Sequence, residues 1–174
     1  MAGGRKKEYL NDYVRDENGK YSYKGKYLTL DCAESEHKKI TATLICSCVI
    51  ITVTTILSGC INAGGMNNTF YVILPYIAEV AALFFSMRYM MRLILEGRQV
   101  KEYVYKATVP KIPTALAALA VCAVISFVCS LVFDIIGGFK ENAVLCILYL
   151  CFKLIEALMS FTLMKYFNTL SWKY

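Results

Sequence analysis

The run Ala143-Val-Leu-Cys-Ile-Leu-Tyr-Leu-Cys-Phe-Lys153-Leu-Ile-Glu156-Ala-Leu-Met-Ser-Phe-Thr-Leu-Met-Lys165-Tyr-Phe167 decides the fold. It exceeds the ~20 apolar residues that let a helix cross a hydrocarbon layer ~30 Å thick. Lys153 and Glu156 stand near its middle. A charge at that depth costs at least about 2.5 kcal/mol, so something else in the chain has to meet it. The candidate is Glu79, midway along a second run of the same kind.

Four such runs exist, at residues 40–61, 70–95, 112–136 and 143–167. Hydrophobic residues make up 57% of the 174, and the mean hydropathy is +0.49. That exceeds the roughly half found in soluble domains. Backbone amides in lipid must be satisfied within their own segment, so each run is expected to be a helix. The expected fold is all-α: a polytopic membrane protein whose four helices form two tandem, parallel helical hairpins. Residues 1–39 form a polar arm, 40–95 the first hairpin, 96–111 a basic loop, 112–167 the second hairpin and 168–174 a tail.

The net charge is +6, and its placement is more informative than its size. Nine of the nineteen Lys and Arg precede the first run, from Arg5 to Lys39, and six more lie between Arg88 and Lys111. The other two connections carry only Lys140. The positive-inside rule therefore places both termini and the central loop in the cytoplasm of a multi-pass cell-membrane protein. Arg88, Tyr89, Arg92, Lys165, Tyr166 and Trp172 are expected to anchor the inner interface. The basic segments favour anionic headgroups, so membrane lipids are the expected partners and nucleic acid is not. No secretory signal is expected, because the first 39 residues are polar and the first apolar run is too long for a signal core.

Eight Cys and one His form no zinc pattern and no C-x-x-C pair, so no metal or cofactor is expected. Cys in apolar runs serves mainly as a small hydrophobe. Cys60 and Cys146 both fall near the outer face, where geometry alone decides whether they join.

In the arm, Asn18-Gly19 followed by the alternation Lys20-Tyr-Ser-Tyr-Lys24 suggests a small hairpin that needs a surface or partner for support. The alternative is a mobile arm at the interface. The first run is rich in hydroxyls, and Thr43, Ser47, Thr55 and Gly59 share a four-residue row that suits close helix packing. Ala118, Cys122, Ser126 and Ser130 form a second such row. Pro75 removes one backbone bond early in the second run, and Pro110 and Pro113 suit the opening of the third. Asp134, near the outer end before Gly137-Gly138, is expected at the interface rather than buried. Asn67-Asn68-Thr69 matches a glycosylation sequon but lies too close to the membrane to weigh.

The chain carries an internal similarity. Glu79, Phe84, Met87, Arg88 and Tyr89 align in spacing with Glu156, Phe161, Met164, Lys165 and Tyr166. Lys38, Thr41-Ala42 and Gly64-Gly65 align with Lys111, Thr114-Ala115 and Gly137-Gly138 at an offset four residues smaller. This suggests a parallel repeat related by an axis along the membrane normal, with Glu79 and Glu156 as counterparts. Lys153 has no counterpart and is expected to face Glu79, with Glu156 one turn away on the same face. One Lys neutralises one Glu and leaves the other to carry a proton. The alternative is a purely local Lys153–Glu156 contact, since residues at i and i+3 are helix neighbours.

No catalytic constellation is present: the single His37 lies outside the apolar runs, and there is no nucleophile set or phosphate loop. The expected function is a small integral membrane assembly subunit, homo-oligomeric or attached to a larger membrane protein, with the buried charges fixing helix pairing. The alternative is a proton- or cation-coupled carrier that uses Glu79 and Glu156 at the midplane.

Overall fold

A computed structural model of the chain describes residues 12–15, 20–137 and 142–173. The elements run β1 (Tyr13–Arg15), β2 (Tyr21–Tyr23), β3 (Tyr27–Leu30), α1 (Glu34–Cys60), a 3₁₀ turn (Ala63–Asn68), α2 (Phe70–Glu96), β4 (Gln99–Lys101), α3 (Glu102–Thr108), α4 (Lys111–Gly137), α5 (Ala143–Asn168) and β5 (Trp172–Lys173). All the long elements are helices, and α1, α2, α4 and α5 are each long and apolar enough to cross a membrane. Their outward faces carry Phe84, Leu74, Ile77, Val121, Ile147 and Leu158, all exposed. At most 33% of each helix's most apolar stretch is buried. A soluble bundle shows the opposite, with its apolar stripes turned inward.

α4 packs along both α2 and α5, whereas α1 lies mainly against α5 and touches α2 sparsely. The two connected helix pairs are therefore not packed alike. α2 and α5 face each other across the bundle. Where α1 and α2 do meet, Gly59 makes room: a Cβ there would lie 1.9 Å from the Tyr76 hydroxyl. That hydroxyl instead donates to the Thr55 carbonyl at 3.2 Å. Of the four-residue row on α1, Ser47 and Thr55 are buried, while Thr43 is exposed. α2 runs unbroken through Pro75 and stops at Gly97, whose φ of 73° is costly for any residue with a Cβ.

One end of the bundle is closed by a small antiparallel sheet of order β4-β3-β5. Leu28 pairs with Val100, and Leu30 with Trp172. Arm, central connection and tail thus meet in one clasp, reinforced by Arg98 donating to the Cys32 carbonyl at 2.9 Å and by a Lys173–Asp31 ion pair at 2.7 Å. The stretch expected as a loop at 96–111 is a strand and a short helix. Trp172, expected as a headgroup anchor, packs edge-on to Tyr105 with ring centroids 5.5 Å apart. Of the anchors, Arg88, Arg92 and Lys165 are exposed, and Tyr89 and Tyr166 are half-buried.

β1 and β2 pair in antiparallel register, Tyr13 opposite Tyr23; the Asn18-Gly19 turn lies outside the described residues. This ribbon gains its support from α3. The Tyr13 and Tyr103 hydroxyls are 3.1 Å apart, and the Tyr23 and Tyr103 rings meet at 5.8 Å. The bond to Tyr103 pushes the Tyr13 phenol above its ordinary pKa, and burial pushes Tyr23 the same way. On α3, the Lys106 ammonium bonded to Glu102 at 2.6 Å holds that carboxyl below its ordinary pKa.

The interior is layered. Toward the clasp it is apolar, built from residues such as Leu44, Leu83, Met90, Ile112, Leu116 and Phe167. At the opposite end a smaller cluster of Met66, Val72 and Tyr149 lies beneath the 3₁₀ turn. Asn67 braces that end by donating to the Gly59 and Ile61 carbonyls, so the sequon's side chain is committed inside the fold. Between the two apolar layers lies the charge cluster.

Candidate functional site

Three long helices supply the cluster. Glu79 comes from α2, Lys153 and Glu156 from α5, and Thr55 from α1; Glu79, Lys153 and Glu156 have no exposed surface, and Thr55 is 1% exposed. The Lys153 ammonium bonds Glu79 Oε1 across the bundle and lies 3.7 Å from Glu156 Oε2. Both sequence-level alternatives for Lys153 are therefore present at once, the cross-bundle pair being the tighter. The ammonium also sits over two rings, 4.7 Å from the Tyr76 centroid and 5.4 Å from that of Tyr149. Such cation–π contacts suit a cation removed from water.

The cluster holds two carboxyls and one ammonium, all fully buried, so with both acids ionised it would carry a net charge of −1 at a cost of several kcal/mol. Glu79 Oε2 and Glu156 Oε2 have no hydrogen-bond donor among the described residues. The Thr55 hydroxyl lies 2.7 Å from Glu156 Oε1 and 2.8 Å from the Ile51 carbonyl. It has a single proton and can donate to only one of them.

A polar seam leads from the cluster toward the end opposite the clasp. Tyr149 of α5 and Ser130 of α4 are both buried, and Ser130 Oγ donates to the Ser126 carbonyl at 2.8 Å. Ser126, Ser130 and Asp134 follow one another at four-residue spacing on α4 and are all buried. Asp134 is only 2% exposed, which corrects the expectation that it lies at an interface. It continues the serine row, and that row faces α5, where Cys146 lies beside it. The sequence pattern already held this information: the row Ala118-Cys122-Ser126-Ser130 reaches Asp134 in one further step. Neither Asp134 oxygen has a donor among the described residues. Toward the clasp lies Ser160, and the interior below it is mainly apolar, with Ser47, Ser86 and Thr108 also buried there.

Thr52, Thr54 and Ser58 donate to carbonyls of their own helix, at Cys48, Ile50 and Thr55. Cys60 and Cys146 are both free thiols, the first exposed and the second buried. Among the described residues no group of three His, Cys, Asp or Glu could hold a metal ion. No family model, curated protein or solved structure matches the chain, so a functional reading rests on the site itself.

Proposed function

We propose that the chain is a four-span membrane protein acting as a small assembly subunit, either of itself or of a larger membrane complex, with its charge cluster fixing which helices pair. One observation carries this reading. A single buried Lys holds Glu79 of α2 and lies beside Glu156 of α5, which in turn meets Thr55 of α1. The spans do not attract one another by hydrophobicity in lipid, where Leu gains nothing by leaving acyl chains. A cross-bundle ion pair supplies a register that apolar packing does not. The remaining surface, apolar on every long helix, suits lipid or a partner helix. The charge asymmetry supports placing the clasp end in the cytoplasm.

A second reading is favoured by the orphaned oxygens of Glu79, Glu156 and Asp134. A site with one more carboxyl than cations, joined to one end of the bundle by hydroxyls, can take up and release a proton. Under this reading the protein is a proton- or cation-coupled carrier.

Purification in mild detergent separates the two. A stoichiometric partner or a defined oligomer, with no proton flux in liposomes, supports the assembly reading. Proton-dependent flux from the purified protein, lost in Glu156→Gln, would overturn it in favour of the carrier. Orientation is tested by introducing single cysteines at positions 103 and 67 after the native ones are replaced. Labelling from outside intact cells at 103 but not 67 would reverse the topology.

A further inference from the structure

A groove of about 350 Å³ opens on the outside of the bundle between α2 and α4, away from the charge cluster. Its walls are Ala82, Phe85 and Tyr89 from α2, and Lys111, Thr114 and Ala118 from α4, with Ala115 at its base. The walls run antiparallel. Tyr89 and Lys111 form the end near the clasp, and Ala82 and Ala118 the end near mid-helix. Each wall spans eight residues, about 10 Å along its helix. The groove exists because its alanines do not fill the space beside Phe85.

The two ends differ in chemistry. The inner stretch is apolar and narrow. The mouth holds the Lys111 ammonium, 5.8 Å from the Tyr89 ring centroid. Among the described residues Lys111 has no carboxylate within ion-pair distance, unlike Lys38, Lys101, Lys106, Lys153 and Lys173. The exposed Arg88 and Arg92 flank Tyr89 on the same helix. The groove therefore offers an apolar slot ending in unneutralised positive charge.

We propose that this groove binds one anionic phospholipid, its acyl chain lying along Phe85 and Ala118 and its phosphate meeting Lys111. Charge complementarity selects this occupant. A helix of a second copy would need an acidic side chain at the mouth to match Lys111, whereas a phospholipid brings its anion and its apolar chain in the required order. Tyr89 suits the headgroup boundary, with a ring for the chain and a hydroxyl for the polar layer. The inference rests on the membrane reading and concerns a surface separate from the charge cluster.

The test uses the full chain in vesicles of phosphatidylcholine alone and of equimolar phosphatidylcholine and phosphatidylglycerol. Each vesicle carries a trace of its own lipid bearing a photoreactive group midway along the acyl chain, and adducts are mapped by mass spectrometry. The expected result is labelling concentrated on Phe85, Ala115 and Ala118 with the phosphatidylglycerol probe. It should fall about fivefold in Lys111→Ala, the loss expected for one cation near an anionic surface. Ala118→Leu, which fills the slot while keeping Lys111, should also abolish it. Labelling spread evenly over exposed faces such as Val121 and Val128, or equal with the phosphatidylcholine probe, overturns the proposal and leaves the membrane reading standing. Cross-links from α2 or α4 to another protein chain in place of lipid overturn it in favour of helix docking. Failure of the chain to float with either vesicle overturns both readings together.

Discussion

Replacing Lys153 with Met removes the cluster's only cation while keeping the shape of its stem. The side chain is fully buried, bonds Glu79, lies 3.7 Å from Glu156 and faces two tyrosine rings. Breaking a buried pair from one side costs ~3–5 kcal/mol, because the partner keeps its desolvation cost without its compensation. For globular domains of this size, 1 kcal/mol moves Tm by about 2–4 °C, so Lys153→Met is expected to lower Tm by about 6–20 °C. Glu79→Gln should cost less, since Lys153 retains Glu156 nearby and the amide oxygen still accepts a bond. The double variant removes one charge of each sign and leaves Glu156 beside Thr55. It should lie well above Lys153→Met, with an interaction energy of about 2–3 kcal/mol in the cycle. The assay is thermal unfolding of wild type, both single variants and the double variant in one detergent. Additive losses would mean that Glu79 and Lys153 do not interact, and the cross-bundle register argument would fail with them.

Gly59→Ala should destabilise by ~1–3 kcal/mol, because its Cβ would fall 1.9 Å from the Tyr76 hydroxyl and the ring must leave Thr55 and Lys153. Adding Tyr76→Leu should recover part of that loss, and no recovery would show that the helices separate for another reason. Asp134→Asn should change stability by no more than ~1 kcal/mol, since among the described residues neither carboxyl oxygen has a donor to lose. A loss of ~3 kcal/mol in thermal unfolding would reveal a partner for this acid. For the arm, Tyr13 and Tyr23 have folded-state pKa values raised above their ordinary value of 10.0. Their contribution to docking on α3 is therefore complete below that pH and is lost as pH rises through the folded values. Tyrosinate absorbance followed together with protease cleavage of residues 12–30 should show release only in alkaline solution, and release at neutral pH would refute the Tyr103 contacts.

The sequence by itself determined the four long helices, because a ~20-residue apolar run has one economical way to satisfy its backbone. It also singled out Glu79, Lys153 and Glu156, because charges inside such runs are rare and costly. Thr55 and Gly59 stood on one small-residue row, yet their separate roles needed coordinates. One receives Glu156 and the other admits Tyr76. Only the tertiary structure decided that α1 packs chiefly on α5 rather than on its sequence neighbour α2. Connection length allows either arrangement, and side-chain complementarity chooses between them. The four-residue row on α4 already led to Asp134, but only the tertiary structure turned that row inward, since the rotation of α4 about its axis is set by packing against α5 and not by hydropathy. The clasp was equally hidden. Strands of two to four residues are too short for an alternation to register, and their stability comes from joining residues 27–30, 99–101 and 172–173, which lie far apart in the chain and meet only once the bundle has formed.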